Sequence, residues 1–215
     1  MKQLRLGLIQ QEQLDMAAEL GHGSALSLSK SELNPAVHRE VMEKGLILVA
    51  ERPSIYLAYH CVQRAIPLIQ QQFSISPGPK EALIWVEDWL KHQPIEKEQA
   101  RLFITTSSQN SQILTAQAQA FSWLRNNVIL GKSLQRAALA TQGVSHVLAA
   151  VCGALGFEDH PKESIPERVL EAIESSQSAI DSIAERQWQK NTLARILLKL
   201  DHCEVGDPLP RSNCE

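Results

Sequence analysis

Hydrophobic residues recur along most of this chain at the three-to-four-residue spacing of helices that bury one face. Asn34 followed by Pro35 has the form of a helix start, an N-cap with proline at the first helical position, and the helix predicted there runs to Val49 or Ala50. Pro53 disfavours helical geometry at Arg52, so "ERPS" reads as a break. From Ser54 to Phe73 a second helix carries Ile55, Tyr59, Val62, Ile66, Ile69 and Phe73 on one side. Leu57, Ala58, Cys61, Ala65 and Leu68 widen that arc past half the circumference, leaving His60, Gln63, Arg64 and Gln71 as a polar seam. Pro67 has no N–H for the carbonyl four residues back, which predicts a kink near Gln63.

After the turn "SISPGPK", a helix from Lys80 to His92 turns Ala82, Leu83, Trp85, Val86, Trp89 and Leu90 inward and Glu81, Glu87, Asp88 and Lys91 outward. Ile84 falls on the outward side and marks a contact there. Pro94 opens a helix from Ile95 to Thr106, "TTSSQNSQ" reads as a weakly helical joint, and helical spacing resumes from Ile113 to Asn126, capped by Gly131. Ser133 to Leu155 is alanine-rich and apolar on nearly every side, which places it at the centre of a bundle. Ser164, Pro166 and Glu167 have the spacing of a capping box. A single helix over 166–200 would extend about 50 Å, too long for a compact bundle, so a bend near Gln189 or an arm used in dimerisation is expected.

At the ends the pattern weakens. Leu4, Leu6 and Leu8 alternate as a short strand would, a helical pattern then ends at Leu20, 21–34 reads as a loop, and 201–215 as a flexible tail. The predicted fold class is all-α: a multi-helix bundle core over 1–160 with a C-terminal helical hairpin or arm over 161–200.

Composition adds little that is unusual. Apolar residues make up 44% of the 215 positions and charged residues 21%, so a chain disordered throughout is not expected. The formal charge of −3 and the scattered lysines and arginines argue against a nucleic-acid partner. The opening "MKQLRLGLIQQEQLDM" is charged and glutamine-rich too early for a secretory signal, and no apolar run reaches the ~18 residues of a membrane span. Cys61, Cys152, Cys203 and Cys214 are far apart with no C-x-x-C pair, which fits reduced thiols and a cytoplasmic location.

No local catalytic or cofactor signature is present, and "GHGS" at 21–24 lacks the preceding strand of a phosphate loop, so no cofactor or metal is expected. His60 and Arg64 lie one turn apart on the polar seam. They read more simply as side chains satisfied by neighbouring helices than as a general base and its partner. His146, in a row with Gln135, Leu139 and Gln142, reads as a core histidine bonded to a backbone or glutamine partner before it reads as a metal ligand. Glu87 and Asp88 diverge by ~100° on a helix and share no site, but they form an acidic face that could meet a basic partner. His202, Cys203 and Cys214 lack a fourth ligand and rigid spacing.

The helix "YHCVQRAIPLI", its proline-rich break, "GPKEALIWVEDWL" and "EQARLF", with the later "LQRAALATQGVSHVLAAVCGALG", resemble predicted immunity proteins of bacterial polymorphic toxin–immunity systems over about 58–155. The family's turn carries an aspartate and an arginine where this chain reads "SPGPK", and 105–120 is richer here in Ser, Thr and Gln. The resemblance implies an all-helical, non-enzymatic protein that neutralises a cognate protein toxin by binding it. It makes Arg64 and His146 candidate binding residues beside His60, Glu87 and Asp88. The alternatives are a helical enzyme or small-ligand bundle with a pocket near His60, Arg64 and His146, and a scaffold that dimerises through 166–200.

Overall fold

The computed structural model describes residues 11–12, 15–16, 35–69, 78–93, 95–122 and 128–198. Seven α-helices account for most of them, with no strand among the described residues: α1 (Pro35–Ile47), α2 (Glu51–Ala65), α3 (Pro79–Leu90), α4 (Lys97–Ser122), α5 (Val128–Ala154), α6 (Ile165–Ile180) and α7 (Ile183–Leu197). The chain is an all-α bundle. The predicted N-terminal strand, the 21–34 loop and the 201–215 tail lie outside the described residues.

The apolar α5 is the axis of the bundle. It packs along α4 on one side and α6 on another, and α2 lies against both α5 and α6. By length and composition α5 could cross a membrane, but 72% of its apolar window is buried inside the bundle, where other helices meet it. One large core runs from Met42 and Leu46 of α1 through Tyr56, Tyr59 and Val62 of α2, Trp85 and Val86 of α3, and Val144 to Cys152 of α5. The same core continues into Val169 and Ile173 of α6 and Leu193 of α7. A smaller cluster, Leu114 and Ala118 with Leu134, Ala137 and Ala138, joins the far half of α4 to the first half of α5.

Several boundaries differ from the sequence reading, each for a local reason. The break before α2 falls at 48–50, and Glu51 and Arg52 are helical. Pro53 sits in the first turn, where its missing N–H removes no intrahelical bond. At the other end α2 stops at Ala65 instead of kinking: Ile66 donates back to Gln63 and Pro67 lies in a 3₁₀ turn, Ile66–Leu68. That tighter turn avoids the crowded carbonyl a continuous helix would impose.

The Ser/Thr-rich stretch expected as a joint is continuous helix within α4. Thr106 and Thr115 return their hydroxyls to carbonyls one turn back, at 2.8 and 2.9 Å. Ser107, Asn110 and Ser111 are buried, and Ser111 donates to the Ala138 carbonyl of α5 at 3.0 Å. Gly131 lies inside α5. The predicted capping box at Ser164 does not form: Ser164 ends a 3₁₀ turn and donates to the Pro161 carbonyl.

The break in 166–200 comes at Asp181 and Ser182, eight residues before the expected bend at Gln189. Asp181 takes a left-handed conformation (φ 47°) that ends α6, and Ser182 Oγ accepts from the Glu185 N–H at 3.0 Å to start α7. The segment expected as an arm shares the main core: Ile165, Val169, Leu170 and Ile173 are all buried against it. That part of the apolar stripe packs within the chain, while Ile183 and Leu198 of the same segment are exposed.

Close approach of the helices depends on small residues. A Cβ on Gly143 would sit 3.1 Å from Val62 Cγ2 and 3.3 Å from Ser176 Oγ, so α2 and α6 both lie against α5 at this level. Gly143→Val should overpack that crossing and cost roughly 2–3 kcal/mol in urea denaturation. An unchanged midpoint would mean that α2 and α6 do not meet α5 there.

Candidate functional site

The five candidate residues do not form one centre. His60 is flanked edge-on by the rings of Tyr56 and Tyr59, with centroids 4.4 and 5.0 Å away, and its buried Nε2 has no hydrogen-bond partner. Burial pulls its imidazole down to about 4, against the opposing pull of Gln63 and Glu87. Beside it Tyr59 donates to Glu87 Oε2 at 3.1 Å, and Lys91 pairs with the same carboxylate through Oε1. Burial, with Glu87 adjacent, pushes the Tyr59 phenol up. Glu87 itself is held below the usual carboxylate range, chiefly by Lys91. Glu87 is thus part of the α2–α3 contact as well as of the outer face, whereas Asp88 is half-buried beside it.

His146 reaches the other side of the bundle. Its Nδ1 lies 3.0 Å from Glu171 Oε2 on α6, and that same oxygen accepts from Arg168 at 2.8 Å. Burial lowers the imidazole pKa, with Glu171 opposing and Arg168 reinforcing the shift. The partner of this histidine is a carboxylate, not the backbone or glutamine group expected from the sequence. His146 also lines a groove of about 430 Å³ between α4 and α5, with Ser108, Ser111, Thr115, Gln142 and Ser145, and neither His60 nor Arg64 borders it.

Arg64 leads to an arrangement that inspection of local motifs misses. Its Nε donates to Glu185 Oε2 at 2.8 Å, and its guanidinium lies over the Trp188 ring at 4.3 Å. The Glu185 side chain is 0% exposed. Its other oxygen accepts from Gln189 Nε2 at 3.3 Å, and Gln189 Oε1 lies 2.9 Å from His38 Nε2 on α1. A chain of polar side chains therefore crosses the interior from α2 through α7 to α1. Burial pushes the Glu185 carboxyl up, with Arg64 and Gln189 offsetting it. Burial brings His38 down to about 4, with Lys190 and Arg186 adding to that effect. The one signal in the sequence is that Glu185 and Gln189 stand one turn apart, behind the capping serine Ser182.

Chemically, these groups hold the fold more than they form a reaction centre. No group of three or more His, Cys, Asp or Glu among the described residues could hold a metal ion. Cys61 and Cys152 are buried, and burial raises both thiols, so neither is a ready nucleophile. No protein-family model, curated protein or solved structure matches the chain.

Two outcomes follow from the buried chain. Gln189→Leu strips partners from Glu185 and His38 and should cost roughly 2–3 kcal/mol in urea denaturation. A loss below about 0.5 kcal/mol would show that the chain carries little. The second outcome concerns pH. In the unfolded chain His38 and His60 protonate near the ordinary histidine value of 6.5, and burial brings both down to about 4 in the fold. The unfolded state therefore binds more protons between those values, and stability falls as pH drops through that window. His146 adds to the fall, and Glu185, shifted upward, opposes it. The urea midpoint should decline from pH 6.5 to 4.5, and the His38→Gln/His60→Gln pair should flatten the slope. An equal slope in the double variant would contradict the assignment.

Proposed function

We propose that this chain works by stoichiometric binding of a protein, as an immunity-type protein that covers a cognate toxin in the cytoplasm and performs no chemistry of its own. The observation that carries the reading is one face of α3. Ile84 is 50% exposed there, with Glu81 a turn before it and Glu87 and Asp88 a turn after. An exposed apolar anchor rimmed by carboxylates has the composition of a small hot spot for a basic partner. Glu87 is already fixed by Tyr59 and Lys91, so little side-chain freedom is lost on binding. The resemblance over 58–155 points the same way, since it includes all of α3.

The reading requires a secreted protein with a toxic domain encoded next to this chain, and the test co-expresses that domain with the chain and purifies the pair; a neighbourhood without one counts against the reading. Growth should be restored, and a one-to-one complex should form. Asp88→Lys should slow association about tenfold at low salt and weaken its salt dependence, and Ile84→Ala should speed dissociation. Rates unmoved by both changes would remove the α3 face from the interface. Substrate turnover by the purified chain would overturn the reading altogether.

A second reading, a small polar ligand beside His146, has one observation in its favour. The groove between α4 and α5 is lined almost wholly by hydroxyl and amide side chains around an imidazole oriented by Glu171. Native mass spectrometry of freshly purified protein should then show a bound small molecule that His146→Ala loses. The bare mass of the chain counts against it.

A further inference from the structure

We propose that the cleft between the end of α2, the first half of α5 and the α6–α7 corner binds a small amphipathic carboxylate, an anionic head on a short apolar body. The cleft, of about 390 Å³, is lined by Arg64, Pro67, Leu68, Arg136, Ile180, Ser182, Ala184 and Glu185. Its volume suits a small molecule. Two features set it apart from an ordinary surface dip: both of its arginines are fixed from behind, and its remaining walls are largely apolar.

Arg64 is anchored by buried Glu185 at 2.8 Å and rests on the Trp188 ring at 4.3 Å, yet its side chain is 39% exposed. Arg136 is anchored by carbonyls at the end of α6, from Nε to Ala179 and from Nη2 to Ile180. Among the described residues this leaves both terminal nitrogens of Arg64 and Nη1 of Arg136 without a hydrogen-bond partner. A guanidinium held by one edge presents its other N–H groups in a set direction, so binding an anion there freezes out little motion. Of the three charged side chains lining the cleft, two are cationic and one is anionic. The anionic one, Glu185, is fully buried behind Arg64. One positive charge is left in excess, which matches a monoanion. Pro67, Leu68, Ile180 and Ala184 supply apolar wall for the body of the ligand. This site is separate from the α3 face, and its failure would leave the toxin-binding reading untouched.

Hexanoate is the probe, with hexanol and inorganic phosphate as comparators. Titration followed by NMR should give saturable shifts in the Ile180 and Ala184 amides and the Arg136 Nε–H with hexanoate. Hexanol and phosphate should each bind at least tenfold more weakly. Ala184→Glu keeps both arginine anchors and adds a carboxylate near the start of α7, where a helix tolerates negative charge. It should weaken hexanoate at least tenfold while leaving the circular dichroism spectrum unchanged. Arg136→Met should do the same, and it is read only if its spectrum also matches. Hexanol binding as tightly as hexanoate, phosphate binding as tightly, or full affinity in a folded Ala184→Glu protein would each overturn the assignment.

Discussion

A helix that is apolar on nearly every side has no stable place in water, and α5 is such a helix. Every other packing choice in this bundle follows from covering it. α4 and α6 lie along it, and α2 crosses where Gly143 leaves room beside Val62 and Ser176. Alanine at 137, 138, 140, 149 and 150 keeps the neighbouring backbones close, and each of these residues is buried. Burying α5 takes partners from both halves of the sequence, which is why 165–197 belongs to the same packed body as 35–69.

Against that apolar axis, the chain from Arg64 through Glu185 and Gln189 to His38 is a polar exception. Burying it costs desolvation, seen in the downward shift of His38 and the upward shift of Glu185. It adds directionality that apolar packing lacks: a rotated or slipped α7 would leave a carboxylate and an amide in the core without partners. Arg52 and Arg136 perform a related task at helix ends, donating to the last carbonyls of α3 and α6 from other helices. Arginines thus join elements of this bundle at three places where apolar contact alone would leave polar groups unmet. At two of them, those of Arg64 and Arg136, the joining also leaves N–H groups beside an open cleft.

The legible parts of the sequence were those with local causes. The Asn34–Pro35 start, the inward face of α3 with Ile84 left outside, and the centrality of α5 all follow from periodicity within one segment. Pro67 marked a local disturbance, but the spacing predicts a kinked helix continuing to Phe73, whereas α2 ends at Ala65 and a 3₁₀ turn resolves the clash. The α4 run Thr105 to Gln112 looked like a joint because most of its residues have low helix propensity; contact with α5, including the Ser111 bond to Ala138, outweighs that preference. Glu185, Gln189 and His38 were not legible as a unit. The bond between His38 and Gln189 spans 151 positions, and no spacing rule reaches that far. The same distance hides the cleft, whose arginines lie on different helices.

Native-state hydrogen exchange tests the central claim, a single cooperative core wrapped on α5, most directly. The slowest amides of α2, α5 and α6 should exchange only through global unfolding, with one common free energy and the same dependence on urea. If the α6 and α7 amides opened at a distinctly lower free energy while α5 stayed protected, the C-terminal helices would be a separate unit and the account would be wrong.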